Sequence, residues 1–295
     1  MTTQPFSATP SASSLRLRDR LEKALYRHGV LSPDGLTLPD FLCAGFRKAG
    51  TTWLFENLHH HPDIYLPPFK NVRYFSEFYQ RSLKEYAAVF EAGQGCVTGD
   101  FSNSYGLVSS RRLRFVRAVM PEVKLLFLLR NPVEREWSEL RHRLLTDKLD
   151  LASLSDAEVR ERLQQSALYR AGGYTAVLDK IERVFAPEQM FVGFYDDITT
   201  CPQNLLTSVF TFLGVGVPAD WSDYPYNAVI IPPAGPGFER HDPWRGVQAN
   251  DHRNSAELLP ERHRAFLYEL LEEELLELYK RYGERVAPWL KSPDR

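Results

Sequence analysis

The chain reads as a single α/β domain with a mainly parallel central sheet flanked by helices on both faces. Three observations predict it. Short, nearly continuous apolar runs, Phe41–Phe46, Leu125–Leu129 and Gln189–Tyr195, have the length and composition of strands covered on both sides, as strands of a parallel sheet are. Segments with apolar residues at helical spacing alternate with them, the order that builds strand–helix–strand crossovers. A glycine-framed basic turn, Gly45 to Thr52, joins the first run to a helix. A chain of 295 residues, 43% of them hydrophobic, buries enough surface for one large core.

Residues 1–14, rich in Ser, Thr, Ala and Pro, read as a disordered tail without a basic n-region or an apolar h-region. Residues 15–37 read as an accessory helix and linker, with Leu17, Leu21, Ala24 and Leu25 as the docking stripe and Gly29 as the stop. Residues 38–290 form the main domain. No run approaches the length of a membrane span, and Cys43, Cys96 and Cys201 are too scattered for a disulfide framework or a metal knuckle. Together these features predict a cytoplasmic chain with reduced thiols. The 36 basic and 38 acidic residues leave a net charge of −2, which gives no footprint for nucleic acid, so basic residues act locally.

The turn Gly45-Phe46-Arg47-Lys48-Ala49-Gly50-Thr51-Thr52 opens a helix with Trp53, Leu54 and Leu58 on its apolar side. Backbone N–H groups and the positive end of the helix dipole converge there with Arg47, Lys48 and two hydroxyls, a setting for an anion with many oxygens. The nucleoside-triphosphate pattern puts lysine directly after the second glycine; here Thr51 holds that position and the lysine is Lys48, inside the loop.

His59, His60 and His61 end this helix as a partly solvated cluster, because consecutive helical residues point about 100° apart and do not converge on a metal. Ile64 to Tyr79 is expected to run extended and irregular, with Tyr74-Phe75 and Phe78-Tyr79 either walling a cleft or packing as an aromatic loop. Cys96–Asp100 reads as a second core strand, which puts Asp100 at a strand end. Leu125–Leu129 is a central strand broken by Arg130-Asn131-Pro132 into a helix that carries Ser138 two turns later; guanidinium and hydroxyl there suit a phosphate. Residues 156–185 read as helical with a break at Gly172-Gly173. Asp196-Asp197 read as a cap or turn before a helix from Pro202 to Leu213, and 215–254 as a long loop. Glu261–Tyr282 reads as one amphipathic helix with Glu272-Glu273-Glu274 on its solvated face.

The sequence G-x-x-K-x-G-T-T resembles the 5′-phosphosulfate loop of sulfotransferases that use 3′-phosphoadenosine 5′-phosphosulfate (PAPS), and R-N-P-x-x-R-x-x-S from Arg130 to Ser138 resembles the 3′-phosphate signature of the same family. The resemblance implies a P-loop nucleotide-kinase-like fold and transfer of a sulfuryl group to a hydroxyl, or less readily an amine. It implies PAPS as donor, no metal, and a small-molecule, carbohydrate or natural-product acceptor. It assigns Lys48 to the charge that builds on the leaving phosphate, Arg47, Lys48, Ala49, Gly50, Thr51, Thr52 and Trp53 to the cofactor's 5′ side, and Arg130 with Ser138 to its 3′-phosphate. The family's Lys-Glu pair is matched by Lys70-Asn71, so an amide stands where the general base is expected. Asp100 is the first substitute, with Glu77 or a histidine of 59–61 behind it, and Arg240, Arg245 or Arg253 are expected to reach the 3′-phosphate. A catalytically weak PAPS-binding protein and a P-loop kinase-like phosphotransferase remain as alternatives; oligomeric state is not readable.

Overall fold

Parallel pairing of apolar strands builds the centre of the molecule. The computed structural model describes residues 14–230, 247–249 and 259–290. In order these form α1 (Ser14–Arg27), β1 (Phe41–Gly45), α2 (Thr51–His59), β2 (Ile64–Tyr65), α3 (Leu83–Ala87), β3 (Val97–Phe101), α4 (Ser110–Val119), β4 (Lys124–Leu129) and α5 (Pro132–Thr146). Then come α6 (Asp156–Gln164), α7 (Ala167–Arg170), α8 (Gly173–Glu182), β5 (Met190–Phe194), α9 (Tyr195–Thr200), α10 (Pro202–Leu213), β6 (Ala228–Ile230), β7 (Val247–Ala249), α11 (Glu261–Leu270) and α12 (Glu272–Tyr282).

The five-stranded sheet has the order β2-β3-β1-β4-β5, and every neighbouring pair is parallel. Its central strand β1 is buried along its whole length, as is β4 beyond Lys124, which is why both read as unbroken apolar runs. The register pairs Phe41 with Gly99 on one side and Lys124 on the other, so the carboxyl ends of β1, β3 and β4 emerge together. Ligand groups gather at such an edge in open α/β sheets. The expected strand runs are all present. The two-residue β2 lies inside the stretch expected to be irregular, and β6 and β7 pair antiparallel within the expected long loop.

Four expectations are corrected. In α1, Leu21 of the expected stripe is exposed, and the helix docks through Lys23, whose Nζ donates to the Arg81 carbonyl at 2.7 Å and lies 5.3 to 5.8 Å from the ring centres of Tyr79, Tyr74 and Phe115. A buried ammonium is held there by a carbonyl and aromatic faces, which a hydrophobic-stripe pattern does not register. Secondly, Asp196 and Asp197 lie in the first turn of a helix, α9, where they accept from Trp289 Nε1 and pair with Arg285, tying the C-terminal segment down. Thirdly, residues 261–282 form two helices broken at Leu271.

The fourth concerns Glu274, which is not solvated. Its carboxylate accepts from the backbone N–H of Tyr174 at 2.7 Å and of Thr175 at 3.3 Å, and from the Thr175 hydroxyl at 2.7 Å, so one helix caps another. Gly173 permits the approach, since a Cβ there would lie 2.3 Å from the carboxylate. The expected tail 1–14 lies outside the described residues except for Ser14. Glu274→Ala removes the N-terminal cap of α8 and is expected to lower unfolding free energy by about 1–3 kcal/mol, read from the urea midpoint.

Candidate active site

Strand β1 ends at Gly45, and the loop returns at once into α2. The Phe46 N–H donates to the Leu128 carbonyl at 3.2 Å, which fastens the loop to β4, and the Ala49 N–H donates to the Phe46 carbonyl at 3.3 Å. Ala49 is fully buried beneath the turn. Lys48 takes a left-handed backbone conformation (φ 65°), sparsely populated for a residue with a side chain and typical of sites where surrounding structure holds strain. Gly50 caps α2 at φ 92°, and a Cβ there would lie 2.3 Å from Ile198 Cδ1 of α9. The first turn of α2, Thr51-Thr52-Trp53, then presents N–H groups that have no intrahelical partner. Trp53 is buried and its indole donates to the Tyr226 carbonyl at 3.0 Å, so it tethers the start of the 215–254 segment.

Lys70, the lysine of the Lys70-Asn71 pair, reaches this helix start. Its Nζ donates to Thr51 Oγ1 and Thr52 Oγ1, 2.9 Å each. Burial pushes its pKa down to about 7, Lys48 and Arg47 push the same way, and Cys43 and Glu56 oppose. The pKa of Lys48 is also lowered, first by burial and then by Arg47, Arg130 and Arg141 against the pull of Glu139. Those partners place the loop and α5 in one electrostatic site. Arg47 Nε donates to Glu139 Oε2 at 3.3 Å, and its NH2 pairs with Oε1 at the same distance, which joins loop to helix directly.

Arg130 leaves the end of β4 as a nearly buried guanidinium. Glu134, one turn into α5, accepts from its Nε at 3.1 Å and NH2 at 2.8 Å, and its carbon lies 4.4 Å from the ring centre of Tyr195. Asn131 Oδ1 accepts from the Val133 N–H at 3.0 Å and Pro132 occupies the first turn, so the R-N-P sequence is a strand end, a cap and a helix start. Ser138 is half-buried on the same face of α5. One turn further, His142 stands at the surface with partial cover; partial desolvation, then Lys48 and Arg47, lower its pKa, with Glu139 opposing.

Of the two readings of the aromatic stretch, packing holds for Tyr74 and Phe75. Tyr74 and Phe75 are fully buried; Tyr74 stacks on Tyr86, and Phe75 lies edge-on to Tyr86, Tyr105 and Phe115, so they wall no cleft. Phe78 and Tyr79 are half-buried. The outward residues of this stretch are polar: Arg73 forms a bidentate pair with Glu77 at 2.8 to 2.9 Å, and Ser76 bonds Ser104 at 2.7 Å. Asn71 has φ 66° and donates its N–H to the Phe101 carbonyl at 2.8 Å. Asp100 is fully buried; it accepts from Tyr86 at 2.9 Å, Tyr105 at 2.6 Å and Ser102 at 2.6 Å, and burial raises its pKa to about 6 against those bonds. The structure therefore brings Arg47, Lys48, Thr51, Thr52, Lys70 and Arg130 together and sets Asp100 beneath them, inside the protein. His61 is buried, donating Nε2–H to the Gly216 carbonyl at 2.7 Å and accepting from the Asp63 N–H, and so is spent on structure. Among the described residues no group of three or more His, Cys, Asp or Glu is placed to hold a metal ion. Arg240, Arg245 and Arg253 lie outside the described residues.

A family model, the sulfotransferase domain, matches residues 38–223, which contain both the loop and the Arg130–Ser138 segment. The chain belongs to the sulfotransferase family. Transfer of a sulfuryl group from PAPS is the general activity of that family. Heparan sulfate glucosamine 3-O-sulfotransferase 6 of Mus musculus is 30% identical over 72% of this chain and 61% of its own length. The bifunctional heparan sulfate N-deacetylase/N-sulfotransferase 1 of Caenorhabditis elegans is 25% identical over 72% of this chain but only 26% of its own length, so the chain spans about a quarter of that relative. A solved sulfotransferase from Alicyclobacillus acidocaldarius matches at 29% identity and a TM-score of 0.53, covering 61% of this chain and 82% of that one. Mouse sulfotransferase SULT7A1 complexed with PAP matches at 15% identity and a TM-score of 0.53 over 87% of this chain and 90% of that one, a likeness of fold.

Two residues near the loop, Lys70, named only as half of the Lys70-Asn71 pair, and His142, not named at all, each had a signal in the sequence. Lys70 follows the paired prolines at the family's lysine position, and His142 stands one helical turn after Ser138. Gly50→Ala is expected to cost about 1–3 kcal/mol of stability and to weaken adenosine 3′,5′-bisphosphate binding at least about tenfold, because the left-handed cap and the contact with Ile198 both exclude a side chain. Thermal melting and titration calorimetry read the two effects.

Proposed function

We propose that this sulfotransferase transfers the sulfuryl group of PAPS to a hydroxyl, or less readily an amine, of a carbohydrate or polyhydroxylated natural product, leaving a sulfate ester and adenosine 3′,5′-bisphosphate. The observation that carries the reading is the gathering of Arg47, Lys48, Lys70 and Arg130 around the N-terminus of α2, where they outnumber Glu134 and Glu139. Such an excess of positive charge beside open backbone N–H groups fits a ligand with two separated anionic ends. A kinase-like phosphotransferase would place its lysine directly after Gly50, where Thr51 stands.

PAPS supplies an activated sulfuryl group. In the reaction the acceptor oxygen bonds to sulfur, the bridging S–O bond breaks, and its electron pair leaves with the 5′-phosphate. Lys48 neutralises that charge, while Thr51, Thr52 and the first N–H groups of α2 hold the phosphate oxygens. Lys70 adds a second cation through the two threonines, and Arg130, oriented by Glu134 and Tyr195, takes the 3′-phosphate with Ser138. Positioning and preset electrostatics supply most of the acceleration, with one well-aimed donor worth about 3–4 kcal/mol.

The acceptor proton has no glutamate to receive it at position 71. Asp100 is enclosed by three hydroxyl donors and serves to hold Tyr86, Tyr105 and Ser102. We assign the proton to His142, at the surface of α5, whose pKa is lowered by partial desolvation and by the charges of Lys48 and Arg47, which favours the neutral imidazole. The polar outer face of residues 71–77 supports an acceptor rich in hydroxyls over a flat phenol, and the heparan sulfate relatives point the same way. Among the described residues no helix is long and apolar enough to cross a membrane. A cytoplasmic site of action belongs to this proposal alone, since a relative in Dictyostelium discoideum, kil1, is a membrane-associated sulfotransferase.

Titration calorimetry with adenosine 3′,5′-bisphosphate, beside ATP with magnesium, tests the donor. Tight bisphosphate binding is expected, weakened about ten- to hundredfold in Arg130→Ala; preference for magnesium ATP returns the kinase reading. With an acceptor found by screening sugar panels, Lys48→Ala is expected to lose about 10²–10³-fold in kcat while remaining folded, and wild-type turnover would sink its role. His142→Gln is expected to lose at least about 10²-fold in kcat/KM. Because the neutral imidazole is the active form and its pKa is lowered, the wild-type profile falls on the acid side, below the ordinary histidine value near 6.5, and the variant lacks that limb. Asp100→Asn is expected to destabilise the fold by about 1–3 kcal/mol and to keep its turnover per folded molecule.

A further inference from the structure

We propose that the anionic 5′ end of the donor enters this site together with a proton, and that Lys70 takes the proton up. The inference rests on the donor reading above. Its geometric basis is an amine lodged where cations are already crowded. Lys70 Nζ lies at the positive end of α2, donating to Thr51 and Thr52 at 2.9 Å, and among the described residues it forms no ion pair with a carboxylate. The charged or titratable groups that face it are Arg47 and Lys48 of the loop, Glu56 of α2 and the Cys43 thiol of β1. The thiol is no counter-ion near neutral pH, since burial pushes its pKa up to about 12.

A neutral amine keeps two N–H bonds, enough to donate to both threonines, so loss of the proton breaks no contact in the free site. Burial and the neighbouring cations bring that loss to about pH 7. An arriving 5′-phosphate changes the balance: it is the missing counter-charge, and it favours the ammonium. The sign follows directly. Below the free-site value Lys70 is already charged and binding takes up no proton. Above it each binding event must charge the amine, so the association constant falls with pH, approaching about tenfold per pH unit until the donor-bound pKa is reached. Lys48 is shifted the same way, so a substitution must separate the two.

The probe is adenosine 3′,5′-bisphosphate, whose phosphates, with second pKa values near 6, are fully ionised at pH 8 and contribute no protons of their own. Calorimetric titration of the full chain at pH 8 in two amine buffers of different ionisation heat is expected to show uptake of about half to one proton, and affinity is expected to fall about tenfold from pH 8 to pH 9. Lys70→Arg, permanently charged, is expected to bind with little uptake and a nearly flat pH profile; Lys70→Gln binds more weakly at pH 6 and is also flat. Binding by the wild type without uptake overturns the inference and leaves the donor reading standing. The same uptake and slope in Lys70→Arg as in the wild type also overturns it and assigns the proton to Lys48. Failure of the wild type to bind the bisphosphate at any pH from 6 to 9 overturns both. Circular dichroism of the two variants separates lost binding from lost fold.

Discussion

Like charges held together at one edge of a parallel sheet are the constraint around which this molecule is arranged. At an effective dielectric near 20, two unit charges about 4 Å apart repel by about 4 kcal/mol, and the site gathers Arg47, Lys48, Lys70 and Arg130. The central sheet supplies the means. Because β1 and β4 are parallel neighbours, with Gly45 in register with Phe127, their carboxyl ends deliver the loop and Arg130 to the same edge. The Phe46 N–H bonded to Leu128, and Arg47 paired with Glu139, then fix the loop between strand and helix. Glu134 and Glu139 each restrain one arginine, while Lys48 and Lys70 yield through lowered pKa values. The repulsion is left partly unrelieved, and that residue of positive potential is what a polyanionic donor meets.

The parts of this arrangement that are local in sequence were legible. Strands covered on both faces leave unbroken apolar runs, so β1 and β4 were visible, as was the partly covered edge strand β5, and a loop whose glycines frame a lysine and two threonines announces an anion site before any helix. Arg130 was visible because Asn131 and Pro132 mark the strand end and helix start on either side of it. What a pattern of apolar residues does not carry is the partner of a buried polar group. Lys23 docks α1 through a carbonyl and three aromatic rings, Glu274, expected on a solvated face, caps a helix a hundred residues away, and Lys70 reaches threonines on another element. Tyr74 and Phe75 show the converse ambiguity: aromatic residues near a site suit a ligand wall and a packed loop alike in sequence, and here the core claims them.

Position 71 joins these strands of argument. Its backbone lies in the left-handed region at φ 66°, and asparagine is among the residues that adopt it at least cost, more readily than glutamate. With its N–H on the Phe101 carbonyl, Asn71 fixes the turn that carries Lys70 onto Thr51 and Thr52. Two residues later Arg73 repeats the left-handed conformation, and its N–H is held by Ser102, itself bonded to Asp100. The buried carboxylate thus stands at the root of the turn: it orients Ser102, Ser102 fixes the backbone after Asn71, and the turn presents Lys70. Asp100 reaches the donor site through that chain of bonds rather than through a proton. On the proposed reading, asparagine at position 71 therefore leaves the turn that holds Lys70 in place. It is the acceptor half that must find its base elsewhere, and helix α5, already tied to the loop through Glu139, is the element that carries an exposed imidazole into the same field.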